Sequence, residues 1–242
     1  KGLFTQGMVT HRTFKNHKNE WIGPDEIIYN RESITDEQGH KVQVGKIEKM
    51  SKSKKNIVDP SDIINIYGAD TARWFMLSDS PPDRDLEWTD SGIGGAYKFI
   101  NKIWNLLFET ISTDSSSLSN KENNTLVDKI NETIVNVTKN IDDFHYNKSI
   151  ANLHELTNVI QNLITKKSVS KDCLLNSFKK LTLLLQPFVP HLSEEMWKEL
   201  KGSGLAINQK WPESKDSLTK TFFNLAVQIT GKTKEVIQFD IG

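Results

Sequence analysis

"KMSKSKKNIVDP", residues 49–60, places four lysines within seven positions, punctuates them with serines, and runs straight into Asp-Pro. Two chemistries fit such a stretch. It can be a solvated charge run, or a flexible clamp for a polyphosphate. Lys46, Lys49, Lys52, Lys54 and Lys55 have one local acidic neighbour, Glu48. In alternating Lys-Ser order, ammonium groups and hydroxyl or backbone N–H donors can converge on one oxyanion. A helix would spread these side chains around a cylinder, and serine gives it no support, so a mobile loop is expected. Composition by itself leaves both chemistries open.

Downstream, "DPSDIINIY" carries a helix start. Asp59 suits the N-cap, Pro60 the first helical position and Asp62 the dipole. Gly68 closes that helix. "ADTARWFMLSD" begins another, with Ala72, Phe75 and Met76 expected on one face, and "SPPD" stops it. Upstream, "LFTQGMV" (3–9) and "EIIYN" (26–30) are strand candidates. "KVQVGKIEKM" (41–50) alternates through Val42, Val44 and, less cleanly, Ile47. "TDEQGHK" between them reads as a turn.

From about Ile93 the pattern changes to long amphipathic helices. Ala96, Phe99, Ile100, Ile103, Leu107 and Ile111 recur near a 3.6-residue period. A polar connector (113–124) precedes helical patterns at about 125–143, 147–165 and 171–201, the last broken near Pro187 and Pro190. Four or five helices with short joins imply an antiparallel bundle. "FFNLAVQITGKTKEVIQFDIG" (222–242) then reads as two strands about a turn at 230–232, the opening of a further unit, since a lone hairpin is marginal in water.

Acidic and basic residues balance at 31 each, so any nucleic-acid or phosphate contact must be a local patch. Cys173 is the single cysteine, and the six histidines form no HxxxH pair, so no metal is expected. No apolar run reaches the ~18 residues that span a bilayer. The opening "KGLFTQGMVTHRTF" has no signal-peptide pattern, and a cytoplasmic, reducing setting is expected. Sequons such as Asn131-Glu132-Thr133 are then chance. The absence of an initial Met and the strand-like opening suggest part of a longer protein.

Lys49-Met50-Ser51-Lys52-Ser53 matches the KMSKS signature of class I aminoacyl-tRNA synthetases, and the flanks resemble the leucyl enzymes. The similar segments run in order: "LFTQGMV" (3–9), "YGADTARWFMLSDSPPDRDLEW" (67–88), "SGIGGAYKFINKIWNLL" (91–107), "FHYNKSIANLHELTN" (144–158), "LLLQPFVPHLSEEMWKEL" (183–200) and "WP" (211–212). YGAD and PFVPHLSEE are shared with valyl and isoleucyl relatives, whereas TQGMV and DLEW favour leucine. The second catalytic signature of that family, HIGH, does not occur in this sequence.

The resemblance implies a mostly α chain: the end of a Rossmann-like catalytic domain (1–92), an antiparallel anticodon-binding bundle (93–212) and the start of a small α+β C-terminal domain (213–242). It implies a leucine-tRNA ligase as parent, with ATP taken with Mg2+ as substrate, tRNA as partner, a leucine pocket outside this stretch, no membrane and a monomeric state. Lys49 and Lys52 would act on the ATP phosphates, with Met50, Ser51 and Ser53 completing that contact. Arg84, Trp88, Lys98 and Lys102 are candidates for the tRNA backbone. Without HIGH the chain alone should be inactive. The equivalent piece of a valyl or isoleucyl enzyme, or a stand-alone RNA-binding protein, is the alternative.

Other motifs carry less. "TGKT" (230–233) has Ala226 where a P-loop requires glycine, so a hairpin turn fits better. "GIGG" (92–95) follows no clear strand and is expected to let the chain enter the bundle closely packed. Glu194 and Glu195 beside His191 suit the first turn of a helix rather than an acid-base cluster. Trp74, Trp104 and Trp197 fall on apolar faces and are expected in the core, while Trp88 could also cap the junction between catalytic unit and bundle.

Overall fold

A computed structural model of the chain describes residues 5–30, 33–113, 120–214, 222–229 and 232–240. Its N-terminal part is organised around β1 (Val9–Lys15). This strand pairs antiparallel with β2 (Trp21–Ile22) and β5 (Gln43–Lys49) and parallel with β6 (Leu86–Glu87). β3 (Ile27–Tyr29) and β4 (Ile34–Asp36) form a separate hairpin.

Two strand expectations change here. Residues 3–4 lie outside the described residues, and the strand begins only at Val9. The amides before it are claimed by the loop at 81–85: Gly7 donates to the Pro82 carbonyl at 2.8 Å and Met8 to Asp85 Oδ1 at 2.8 Å. In β5 the alternation does not report burial. Val42 is buried, but Val44 and Ile47 are 38% and 43% exposed. A β-bulge sets Gly45 and Lys46 of β5 opposite the single residue Thr13 of β1 and breaks the two-residue period, and β5 borders the described sheet on one side only.

α1 (Pro60–Tyr67) starts as expected, with Asp59 Oδ1 accepting the Ser61 amide at 2.8 Å, and Gly68 ends it at φ 85°. α2 (Ala69–Ser78) buries Asp70, Thr71, Trp74 and Phe75, whereas Met76 is exposed. The buried face is therefore rotated from the expected one, because α2 packs through its two aromatic rings. Trp74 stacks on Phe99 at 5.0 Å and meets Phe188 edge-on at 6.2 Å.

Five helices follow: α3 (Asp90–Ser112), α4 (Asn120–Asp142), α5 (Tyr146–Thr165), α6 (Lys171–Leu185) and α7 (Pro190–Glu199). α3 starts ahead of Ile93, capped by Thr89 on the Gly92 amide at 3.1 Å. The end of the expected polar connector, from Asn120 on, is helical; residues 114–119 lie outside the described ones. The short turn after α4 sends α5 back along it, tied by Asn140–Asn152 and by Lys129 to Glu155. Pro190 opens α7, as its fixed φ favours.

One apolar cluster runs from Ile63 and Trp74 through all five helices to Leu200. Each fully buried Leu, Ile or Phe in it contributes about 1.5–3 kcal/mol. A second, small cluster holds Phe14, Ile22 and Val42 beneath the sheet. Trp74 and Trp197 are core residues, while Trp104 is half-buried against Phe108. β7 (Phe222–Ile229) and β8 (Lys232–Asp240) form the expected antiparallel hairpin. Its turn at 230–231 lies outside the described residues, and Lys232 and Thr233 open a strand, not the helix that a P-loop needs. Among the described residues no helix is long and apolar enough to cross a membrane.

Candidate functional site

β5 carries Lys49 to the edge of the sheet, and the Met50 amide still donates to the Val9 carbonyl at 3.3 Å. Beyond it the chain is irregular. Lys52–Lys54 form one 3-10 turn, and Lys55 takes a left-handed φ of 54° that reverses the chain. The expected loop is thus present, without an α-helix.

Its two ends are joined by a residue that composition did not single out. Asn56 is fully buried. Its Oδ1 accepts the Ser51 amide at 2.9 Å, and its Nδ2 donates to the His11 carbonyl at 3.1 Å, with the Glu48 and Lys49 carbonyls at 3.3 and 3.4 Å. One carboxamide therefore ties β1, the end of β5 and the loop together. The available sequence signal was a lone amide side chain ending a run of lysines.

The four lysines of residues 49–55 divide into two sets. Lys54 bridges to Glu48, and Lys55 reaches Glu26 at 3.2 Å. The Gly23 amide, against the effect of burial and with help from Lys55, holds the Glu26 carboxyl below its ordinary range. Lys49 and Lys52 are exposed and have no carboxylate partner among the described residues. Two unpaired ammonium groups therefore stand at the loop, flanked by Ser51 and Ser53, whose hydroxyls bond each other at 2.7 Å. Met50 is half-buried against the main core. Such a site can meet an anion with two cations and several N–H and O–H donors.

The remaining candidates separate. Arg84 and Lys98 are exposed, and Lys102 donates to Asn158 on α5 at 2.8 Å. Trp88 is 7% exposed, with its ring edge-on to Phe75 at 5.1 Å. It caps the junction between sheet and bundle from inside the core, and its buried indole does not present a face to RNA. Glu194 lies one turn into α7, and its carboxylate accepts the Ala206 and Ile207 amides at 2.7 and 2.9 Å. It is a cap for a 3-10 turn, a role the expected dipole position did not anticipate. Of "GIGG", only Gly92 meets a close neighbour: a Cβ there would lie 2.5 Å from Phe75 Cε2, while Gly94 and Gly95 face open space. TQGMV and DRDLEW touch directly, since a Cβ on Gly7 would lie 1.9 Å from the Arg84 carbonyl oxygen.

Residues 5–89 match the family model of class I tRNA synthetases (I, L, M and V), and residues 123–241 match that of the anticodon-binding domain of tRNA ligase. The chain is 41% identical to the leucine–tRNA ligases of Rhizorhabdus wittichii and Zymomonas mobilis, over 98% of its own length and 27% of theirs. It is 40% identical to that of Rickettsia bellii, over 99% of this chain and 29% of that protein. It therefore spans little more than a quarter of these curated relatives. Among solved structures it is similar to the LeuRS of Agrobacterium radiobacter K84, in a ternary complex with tRNA and LeuAMS, at a TM-score of 0.68 and 25% identity, covering 98% of this chain and 27% of that one.

Proposed function

Because this chain belongs to the leucyl branch of the class I tRNA synthetases, we propose that it supplies the KMSKS half of the ATP site and the tRNA-bracing bundle of a leucine–tRNA ligase. The observation that carries this reading is the division of the loop lysines: Lys54 and Lys55 are neutralised by Glu48 and Glu26, while Lys49 and Lys52 are left with free charge. In the reaction, the leucine carboxylate attacks the α-phosphorus of ATP and pyrophosphate departs. Charge grows on the phosphoryl oxygens as it does so. Ammonium groups that meet those oxygens more strongly in the transition state than in the ground state lower the barrier. Lys52 contacts the leaving phosphates; Lys49 adds field at the foot of the loop, and Met50 anchors the loop by its core contact. Mg2+ accompanies ATP as part of the substrate.

In this proposal residues 1–92 end the catalytic unit, 93–212 form the anticodon-binding bundle and 213–242 begin a C-terminal domain. The acyl group passes to tRNA, whose backbone Lys98 and Arg84 are free to approach. The ligase works as a monomer in the cytoplasm. HIGH does not occur in these 242 residues, so they form no adenylate by themselves.

The test is leucine-dependent pyrophosphate exchange in the complete ligase. Lys52→Ala is expected to slow exchange by about 100- to 1,000-fold, the usual loss for one transition-state donor. Lys54→Ala, whose charge is already paired, should cost less than about tenfold. An effect of Lys52→Ala below about threefold would remove the assignment.

A further inference from the structure

Three side chains from two segments meet at the far end of the small sheet. His17 follows β1, Asp36 ends β4, and His40 precedes β5. Asp36 is largely buried and its two oxygens have different surroundings. Oδ1 accepts the His40 amide at 2.8 Å and the Gln38 amide at 3.1 Å. Oδ2 faces His40 Nδ1 at 3.4 Å and His17 Nδ1 at 4.0 Å. The two imidazoles lie 4.2 Å apart, tilted by 39°. One donor atom from each residue falls within 4.8 Å of the other two.

We propose that His17, Asp36 and His40 bind one divalent transition-metal ion of the zinc class, and that this ion pins the end of β1 to the turn between β4 and β5. The donor set argues for that class. Two imidazole nitrogens and one carboxylate oxygen, with a fourth position left to water, suit zinc and its neighbours, whereas magnesium and calcium take mainly oxygen ligands. Metal–ligand bonds of about 2.0–2.1 Å in a tetrahedron set donor atoms about 3.4 Å apart. The Asp36–His40 separation already has that value, and His17 closes the remaining gap by rotating a ring that is about half exposed. The two turn amides fix the carboxylate so that Oδ2 is the oxygen turned to the ion, the arrangement by which outer hydrogen bonds orient a ligand.

The location also gives the ion a purpose. The cluster under this sheet holds three buried apolar side chains, Phe14, Ile22 and Val42. β2, β3 and β4 are two or three residues long. So thin a lobe gains most from a staple. The strand that leaves the site is β5, which ends at Lys49. The sequence concealed the site because His17 is remote in sequence from the Asp36–His40 turn, and the set lacks the HxxxH or CxxC spacing that marks a local motif.

The experiment strips the full chain of metal with a chelator and titrates it with Co2+ at neutral pH, followed by displacement with Zn2+. The expected result is one Co2+ per chain with the visible bands of a tetrahedral site, displaced by Zn2+ and unaffected by excess Mg2+. His17→Gln and His40→Gln should each weaken binding by at least about tenfold, with unchanged circular dichroism, while His145→Gln leaves it intact. In the unmodified chain, Zn2+ should shift the ring-proton NMR signals of His17 and His40 and no other histidine, which decides the matter even if a variant misfolds. Absence of Co2+ binding, binding that survives either substitution, or Zn2+-induced shifts confined to other histidines would overturn the proposal.

Discussion

Asp70 caps α7 from α2, although 122 positions separate it from Leu192: its Oδ2 accepts the Leu192 amide at 2.6 Å, and its Oδ1 stands 2.9 Å from His191 Nδ1. α7 needs this, because Val189 at its N-cap offers no side-chain acceptor. Arg73 reinforces the joint by donating to the Pro187 and Phe188 carbonyls at 2.7 and 3.1 Å. Asp70→Ala should therefore destabilise the chain by about 1–3 kcal/mol, and Asp70→Asn by less. Urea denaturation measures both, and a loss below about 0.5 kcal/mol for Ala would show that the cap is dispensable.

Asn56 holds the loop by its carboxamide alone. In the ligase proposed above, Asn56→Ala should reduce pyrophosphate exchange about 10- to 100-fold by misplacing Lys52, while leaving the lysines themselves intact. Aspartate at this position keeps the acceptor for Ser51 but loses the donor to His11, so it should not rescue. Steady-state exchange against ATP concentration reads this. Wild-type rates for the Ala variant would mean the loop finds its geometry without the tether.

Two glycines in one helix should respond in opposite directions. Gly92→Ala drives a Cβ to 2.5 Å from the Phe75 ring and 2.8 Å from Thr89 Oγ1, so it should destabilise by about 1–3 kcal/mol. Gly95→Ala meets nothing within 4 Å and should stabilise by up to about 1 kcal/mol through helix propensity. Thermal melts of the pair give the comparison.

His154 lies against Phe99 with ring centroids 3.6 Å apart and edge-on to Trp74 at 5.6 Å. Burial, with a smaller push from Lys102, lowers its pKa from the ordinary 6.5. The unfolded chain then binds this proton more readily than the folded one, so stability is full above about pH 6.5 and falls as pH drops below it toward the folded value. His11 is lowered too, by burial against the raising effects of Asp90 and Glu87, and adds to the same trend. His154→Gln should flatten the dependence of melting temperature on pH between about 7 and 5, leaving part of it to His11. An unchanged slope would remove His154 from the account.

Signals that act within a few residues were legible in the sequence. Asp59-Pro60 starts α1, Gly68 stops it, and the 3.6-residue period of Phe99, Ile103 and Leu107 marks the buried face of α3. Pairings across the fold were not. Asn56 with His11, Asp70 with Leu192, and Glu194 with Ala206 each join polar groups that no local pattern connects. The β5 alternation misled because a bulge within it, at Gly45 and Lys46, puts Val44 and Ile47 out of step with a strict period of two. The KMSKS string was legible as chemistry, but the neutralisation of Lys55 beside it depended on Glu26, distant in sequence and close in space.

The core that runs unbroken from Ile63 to Leu200 sets what can be inherited together. A recombination that joined a relative's bundle at Ile93 would leave Trp74 facing foreign partners in place of Phe99 and Phe188. A crossover anywhere between α1 and α7 would cut this core, so the KMSKS-side helices and the bundle are expected to share one ancestry.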